Sequence, residues 1–434
     1  MKYRSTTGKA PEVSLEEAVV KGLAPDRGLY MPERIPSLPH DFFDRLPSMS
    51  LPEMASEIAE ALFGEDVDSE ALKALTVDAM NFPIPLVKVK DGVYSLELFH
   101  GPTLAFKDVG ARFMARLLGY FNRGNKDRMV NVLVATSGDT GSAVANGFLG
   151  VEGVRVFVLY PKGKVSPIQE VQFTTLGKNI TALEIEGAFD DCQNLVKQAF
   201  LDKELNESMM LTSANSINVA RFLPQMFYYF YAWAQAVASG TDPENIVMCV
   251  PSGNFGNITA GLIAKRMGLP IKRFIAANNA NDIFYRYLCS GEYIPCASIQ
   301  TIANAMDVGD PSNFARVLDL YSHDHGAIYA EISGCTYSDA EIGETMKNAL
   351  EETGYVLDPH GAVAYRALEE QLKCGETGIF LETAHPAKFK ETVERITGKK
   401  LDIPQRLAAF MSGKKQTVSL PADFDAFKTF LLSC

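Results

Sequence analysis

Four short stretches combine residue types able to do chemistry with the spacing of a strand running into a helix. In HGPTLAFKDVGARF, residues 100–113, Lys107 stands beside Leu104, Ala105 and Phe106. A lysine ordinarily titrates near pH ~10.4 and is a poor nucleophile at neutral pH. Apolar neighbours disfavour the charged form, so this amine could react with a carbonyl. The plain alternative is a surface lysine whose stem lies on its apolar neighbours. In ATSGDTGSAVANGF, residues 135–148, the run Thr136, Ser137, Gly138, Asp139, Thr140 and Gly141 offers backbone N–H groups at a helix start. That suits a carboxylate or a phosphate, unless Ser137 or Asp139 merely caps the helix. In VPSGNFGNITAG, residues 250–261, Gly253, Asn254, Phe255, Gly256 and Asn257 form a turn whose glycines let the backbone approach an anion. It has neither the Lys-Ser/Thr of a nucleoside-triphosphate loop nor the dinucleotide spacing, so a single terminal phosphate is the better ligand. In LETAHPAKF, residues 381–389, the Thr383 hydroxyl could partner a neutral ring nitrogen or cap the next helix.

The conjunction says more than its parts. A cofactor with an aldehyde, a phosphate and a pyridine nitrogen would use the lysine, one anion cradle and the hydroxyl. The second cradle would take a substrate carboxylate. Pyridoxal 5'-phosphate carries those three groups.

Such turns need a scaffold that presents them together. Apolar, β-branched runs at 94–99, 130–136, 154–160, 180–186, 245–250, 271–276 and 378–382 read as strands. Helical patterns at 108–121, 142–149 and 259–267 alternate with them. The alternation predicts an α/β fold of parallel βαβ units with helices on both faces. Ligands then bind outside the carboxyl ends of the strands, where all four turns fall. The proline-rich residues 1–85 read as an N-terminal cap ending near Pro83 and Pro85, with residues 86–434 as the catalytic core.

Of 434 residues, 47% are hydrophobic and 22% charged, ample for a large core. A formal net charge of −12 argues against nucleic acid as partner, which wants a basic face. Seven cysteines without a CxxC pair point to a reducing, cytoplasmic setting rather than a disulfide framework or zinc site. The first residues lack the apolar centre of an export signal. Residues 222–241 carry no charge, but Pro224, Gln225, Gln235 and the aromatic rings make a buried helix the better reading than a membrane span. No metal site is expected: His323-Asp324-His325 lacks a third ligand.

Nearly the whole chain resembles the threonine synthases of the longer bacterial and fungal type, within the fold-type II pyridoxal-phosphate enzymes. The resemblance is carried by GLAPDRGLYMPERIP, LELFHGPTLAFKD, TSGDTGSAVANGF, NSINVARFLPQMFYYF, PSGNFGN, MDVGDPSNFARV, DPHGAVAY and ETAHPAKF. It implies a two-lobed core, with a smaller mobile lobe at roughly 110–210, and the conversion of O-phospho-L-homoserine and water to L-threonine and phosphate. It implies Lys107 as the Schiff-base lysine, Gly253 to Asn257 as the phosphate cup and Thr383 as the partner of the pyridine nitrogen. The substrate carboxylate falls to Thr136, Ser137, Gly138, Thr140 and Gly141. Asp139 stands where related enzymes often place an asparagine near the cofactor's phenolic oxygen. Arg112, Lys162, Lys164, Arg221, Ser166 and Ser216 are candidates for the substrate phosphate, Arg221 being preferred because arginine grips phosphate with two donors. The rival readings are another enzyme of this fold type, such as a threonine dehydratase or a β-replacement enzyme, and a non-catalytic phosphoester-binding relative.

Overall fold

The computed structural model describes residues 1–124 and 129–434. Its strands are β1 (Tyr3–Ser5), β2 (Tyr30–Pro32), β3 (Leu86–Lys90), β4 (Val93–Glu97), β5 (Val130–Ala135), β6 (Val154–Pro161) and β7 (Ile180–Glu186). They continue with β8 (Met210–Ser213), β9 (Ile246–Pro251), β10 (Arg273–Asn278), β11 (Ile332–Thr336), β12 (Thr377–Glu382) and β13 (Val418–Pro421). The expected strands are present to within a few residues, and β1, β2, β3, β8, β11 and β13 join them.

The chain packs into two compact units. The first comprises residues 32–106 and 222–402 together with Met1. Its sheet has the order β11-β10-β9-β12-β4-β3. All neighbours are parallel except β3, which returns antiparallel on β4. A parallel strand covered on both faces must be apolar throughout, and β9 and β12 are buried along almost their whole length. Val247, Ile275 and Phe380 from the sheet pack with Val363 and Leu368 from the helix Pro359–Gln371. The expected aromatic helix runs from Met226 to Ala238, after a 3-10 turn containing Pro224. Among the described residues no helix is long and apolar enough to cross a membrane.

The second unit comprises residues 2–31, 107–221 and 403–434. Its sheet has the order β13-β7-β6-β5-β8 and is parallel throughout. Leu133, Phe157, Leu183 and Ile185 of the sheet bury against Leu195 of the helix Phe189–Leu201 and Phe427 and Leu431 of the final helix. The helix Lys107–Phe121 starts on the lysine itself, one residue earlier than the pattern suggests.

Candidate active site

In the first unit, β9 ends at Pro251 and the helix Gly256–Arg266 follows within five residues. So sharp a turn requires a left-handed residue, and Phe255 supplies it with φ 63°. A bulky side chain disfavours that region by about 1–2 kcal/mol. Burial of the ring against Phe284, 4.7 Å between centroids, holds it there. A left-handed residue next to helical ones turns successive N–H groups to one side, which is the geometry of an anion nest. Gly253 leaves no room for a side chain, since a Cβ there would lie 2.8 Å from Met306 Cα. Asn254 ties the nest to the segment behind it: its Oδ1 accepts from Ser312 N at 2.7 Å.

Asn257 sits in the first turn of the helix and is 7% exposed. Its Oδ1 accepts from Tyr228 at 2.6 Å and Tyr229 at 2.7 Å, both from the aromatic helix. The two hydroxyls settle which way the amide faces. Its Nδ2 is buried and has no hydrogen-bond partner among the described residues. A buried donor left so is costly unless an acceptor meets it. A donor of this kind, at a helix N-terminus beside a nest, fits a phosphate. The residues present therefore fit pyridoxal 5'-phosphate.

The fourth turn lies in the same unit. Ala105 and Ala384 form an antiparallel bridge. Phe106 N donates to Thr383 O at 2.9 Å, His385 N donates to Leu104 O at 3.0 Å, and Lys388 Nζ reaches Thr103 O at 2.9 Å. Leu104 holds φ 60°, so it and Phe255 are two buried apolar residues kept left-handed, each in a candidate cofactor loop. Thr383 is buried, and the cap of the following 3-10 turn comes from His385 instead. The residue after Phe106 is Lys107.

In the second unit, Lys107 is half-buried at the start of its helix. Its carbonyl accepts from Arg221 Nη1 at 3.0 Å, and Arg221 Nε donates to Ala214 O at 2.7 Å. Burial pushes the Arg221 guanidinium down to about 10, against the opposing pull of Asp108. Gly110 makes this contact possible, because a Cβ there would lie 2.1 Å from Arg221 O. The 136–141 turn is braced from within: Thr136 Oγ1 accepts from Gly138 N at 2.9 Å and Gly141 N at 2.8 Å. Thr136 thus performs the capping expected of Ser137 or Asp139, and Gly138 is the first residue before the helix Asp139–Phe148. Asp139 Oδ1 accepts from Gln169 Nε2 at 2.8 Å, which fixes that carboxyl in place. Of the other phosphate candidates, Lys162 is exposed and pairs with Glu186, and Ser166 caps the helix Pro167–Thr174. Tyr228, Tyr229 and Ser312 escaped the sequence reading, although the FYYF and MDVGDPSNF runs that hold them were already among its motifs.

Residues 81–379 match the family model described as pyridoxal-phosphate dependent enzyme. Fold and site together define an enzyme of that class, of fold type II. Residues 2–80 match the threonine synthase N terminus and residues 361–431 the threonine synthase C-terminal model. Threonine synthase of Haemophilus influenzae is 49% identical over 426 residues, covering 98% of each chain. The crystal structure of threonine synthase from Escherichia coli superposes with a TM-score of 0.92 at 45% identity, with full coverage of both chains. The pyridoxal-phosphate-bound threonine synthase from Brucella melitensis gives 0.93 at 36% identity, covering 100% of this chain and 99% of that one. The chain belongs to the threonine synthase family.

Proposed function

We propose that this chain converts O-phospho-L-homoserine and water to L-threonine and phosphate with Lys107 as the cofactor-bearing base. The family membership supports the reaction. Bound pyridoxal 5'-phosphate supplies a conjugated sink for the charge left when protons leave the substrate's α and β carbons. Lys107 would hold the cofactor's aldehyde carbon and move those protons. The nest from Gly253 to Asn257, with the Asn257 amide, holds the cofactor's phosphate. Thr383 would meet the ring nitrogen with a hydroxyl rather than an acid, which would leave that nitrogen unprotonated and moderate the sink. The amides of Ser137 and Thr140 orient the substrate carboxylate, while Thr136 holds Gly138 and Gly141 in shape around them. Asp139, steadied by Gln169, would stand near the phenolic oxygen. Arg221 braces Lys107 and grips the departing phosphate. The proposed compartment is the reducing cytoplasm.

The observation that carries this reading is the bridging of segment 104–106 to 383–385, which leads the chain from Thr383's neighbour directly into Lys107. Phosphate release from phosphohomoserine tests it. Wild type should release phosphate and form threonine, and Lys107→Ala should do neither. Borohydride should bleach the bound cofactor and leave its label on Lys107. A label elsewhere, or equal turnover by the variant, would overturn the assignment.

A further inference from the structure

Behind Thr383, in the first unit, lies a group of buried acids that the reaction above does not use. Glu382 ends β12, and its register partner on β4 is Glu97. Glu382 is fully buried, and so is Asp358, the cap of the helix Pro359–Gln371. Asp358 N donates to Glu382 Oε1 at 2.6 Å, and the Asp358 carboxyl acts directly on that of Glu382. Gly361 admits the second oxygen, because a Cβ there would lie 1.5 Å from Glu382 Oε2.

Among the described residues no cation pairs with Glu382. Asp358 has the contacts of a carboxylate: its oxygens accept from His360 N at 2.8 Å, His360 Nδ1 at 2.5 Å and Gly361 N at 3.4 Å. His360 Nε2 accepts from Ala305 N, so the ring proton sits on Nδ1 and the imidazole is neutral. His385 accepts from Ala387 N, and burial holds its imidazole below the usual range. Lys388 turns to the Thr103 carbonyl. Glu97 has its own partners, Tyr355 at 2.9 Å and His100 at 2.7 Å. The helix start welcomes one negative charge, and Asp358 is that charge. Glu382 Oε2 has no hydrogen-bond partner among the described residues. Burial first, then Asp358, drive the Glu382 carboxyl well above its ordinary range.

We propose that Glu382 is a positioning residue that keeps its own proton beside the Asp358 carboxylate and, through the Asp358 N–H, clamps the end of β12, with the Thr383–His385 strip, onto the helix Pro359–Gln371. The clamp fixes Thr383 and, through the bridge at Ala105, the approach to Lys107. That last link rests on the reading of both residues as cofactor ligands.

Glu382→Gln keeps the shape and mimics the protonated acid. The test is denaturant unfolding of the cofactor-free protein from pH 5 to pH 9. A folded pKa above the unfolded one means the native state holds a proton that the unfolded chain releases. The stability this group confers is therefore complete below the unfolded pKa and lost as pH rises toward the folded one. The folding constant of Glu382→Gln relative to wild type should grow about tenfold per pH unit above about pH 5. Parallel curves for the two proteins would overturn the retained proton. In fluorescence titrations at pH 6, Glu382→Ala should weaken cofactor capture by at least about tenfold, and Glu382→Gln should restore it to within about threefold. A loss in the alanine variant that glutamine does not restore, or no loss at all, would overturn the clamp. If Glu382→Ala does not fold, the glutamine pH series still decides. That series needs no cofactor, so it stands or falls separately from the proposed role of Lys107.

Discussion

Asn257→Asp exchanges a single buried donor for an acceptor and keeps the oxygen that Tyr228 and Tyr229 hold. A hydrogen bond to a charged group contributes about 1.5–3 kcal/mol net. The new oxygen adds repulsion toward a phosphate, which at an effective dielectric of about 20 is worth several kcal/mol for full charges at contact. Together these put the loss at about 3 kcal/mol or more, or at least about 150-fold in the cofactor dissociation constant. The pair Tyr228→Phe and Tyr229→Phe leaves the donor but frees the amide to turn, at about 0.5–1.5 kcal/mol for each lost bond. Fluorescence titration of cofactor-free protein measures both. Pyridoxal without its phosphate is the control, and its binding should be indifferent to Asn257→Asp. Capture of the phosphorylated cofactor within about threefold of wild type, or an equal loss for pyridoxal, would refute the argument that this amide faces the phosphate.

Gly110→Ala drives a methyl group into the Arg221 carbonyl and should cost about 1–3 kcal/mol of stability by denaturant unfolding, together with weaker cofactor capture. Arg221→Ala should raise the Michaelis constant for the phosphorylated substrate by at least about tenfold, and a rise of less than about threefold removes this residue from phosphate binding. Glu376 is buried, which alone would raise its pKa, yet Arg273 at 2.7 Å and the Lys373 amide hold the carboxyl down at about 2. Its contribution is present above the ordinary carboxylate range and lost as pH falls. Glu376→Gln should cost about 2 kcal/mol at pH 7, allowing for solvent screening of the partners, and the gap to wild type should close between about pH 5 and about pH 2.

Most of the candidate site was legible because its signals are local. A β-branched run, a glycine or hydroxyl turn and a helical pattern occupy consecutive residues, so the sequence alone placed Thr136 to Gly141, Gly253 to Asn257 and Thr383 just after strands, whereas Lys107 lies well beyond the end of β4 and opens its helix behind the isolated bridge at Ala105. The motifs were enough to point to the family. What local pattern does not contain is pairing between distant segments. Strand β13 lies against β7 although more than two hundred residues separate them, and its short, largely exposed run has no periodicity to announce it. The tyrosines that orient Asn257 and the acid that meets Asp358 come from other elements, and no spacing rule links them. Only tertiary packing decided those partners, because a buried polar atom is satisfied by whatever the fold brings within about 3 Å of it, however far away in the chain that group lies.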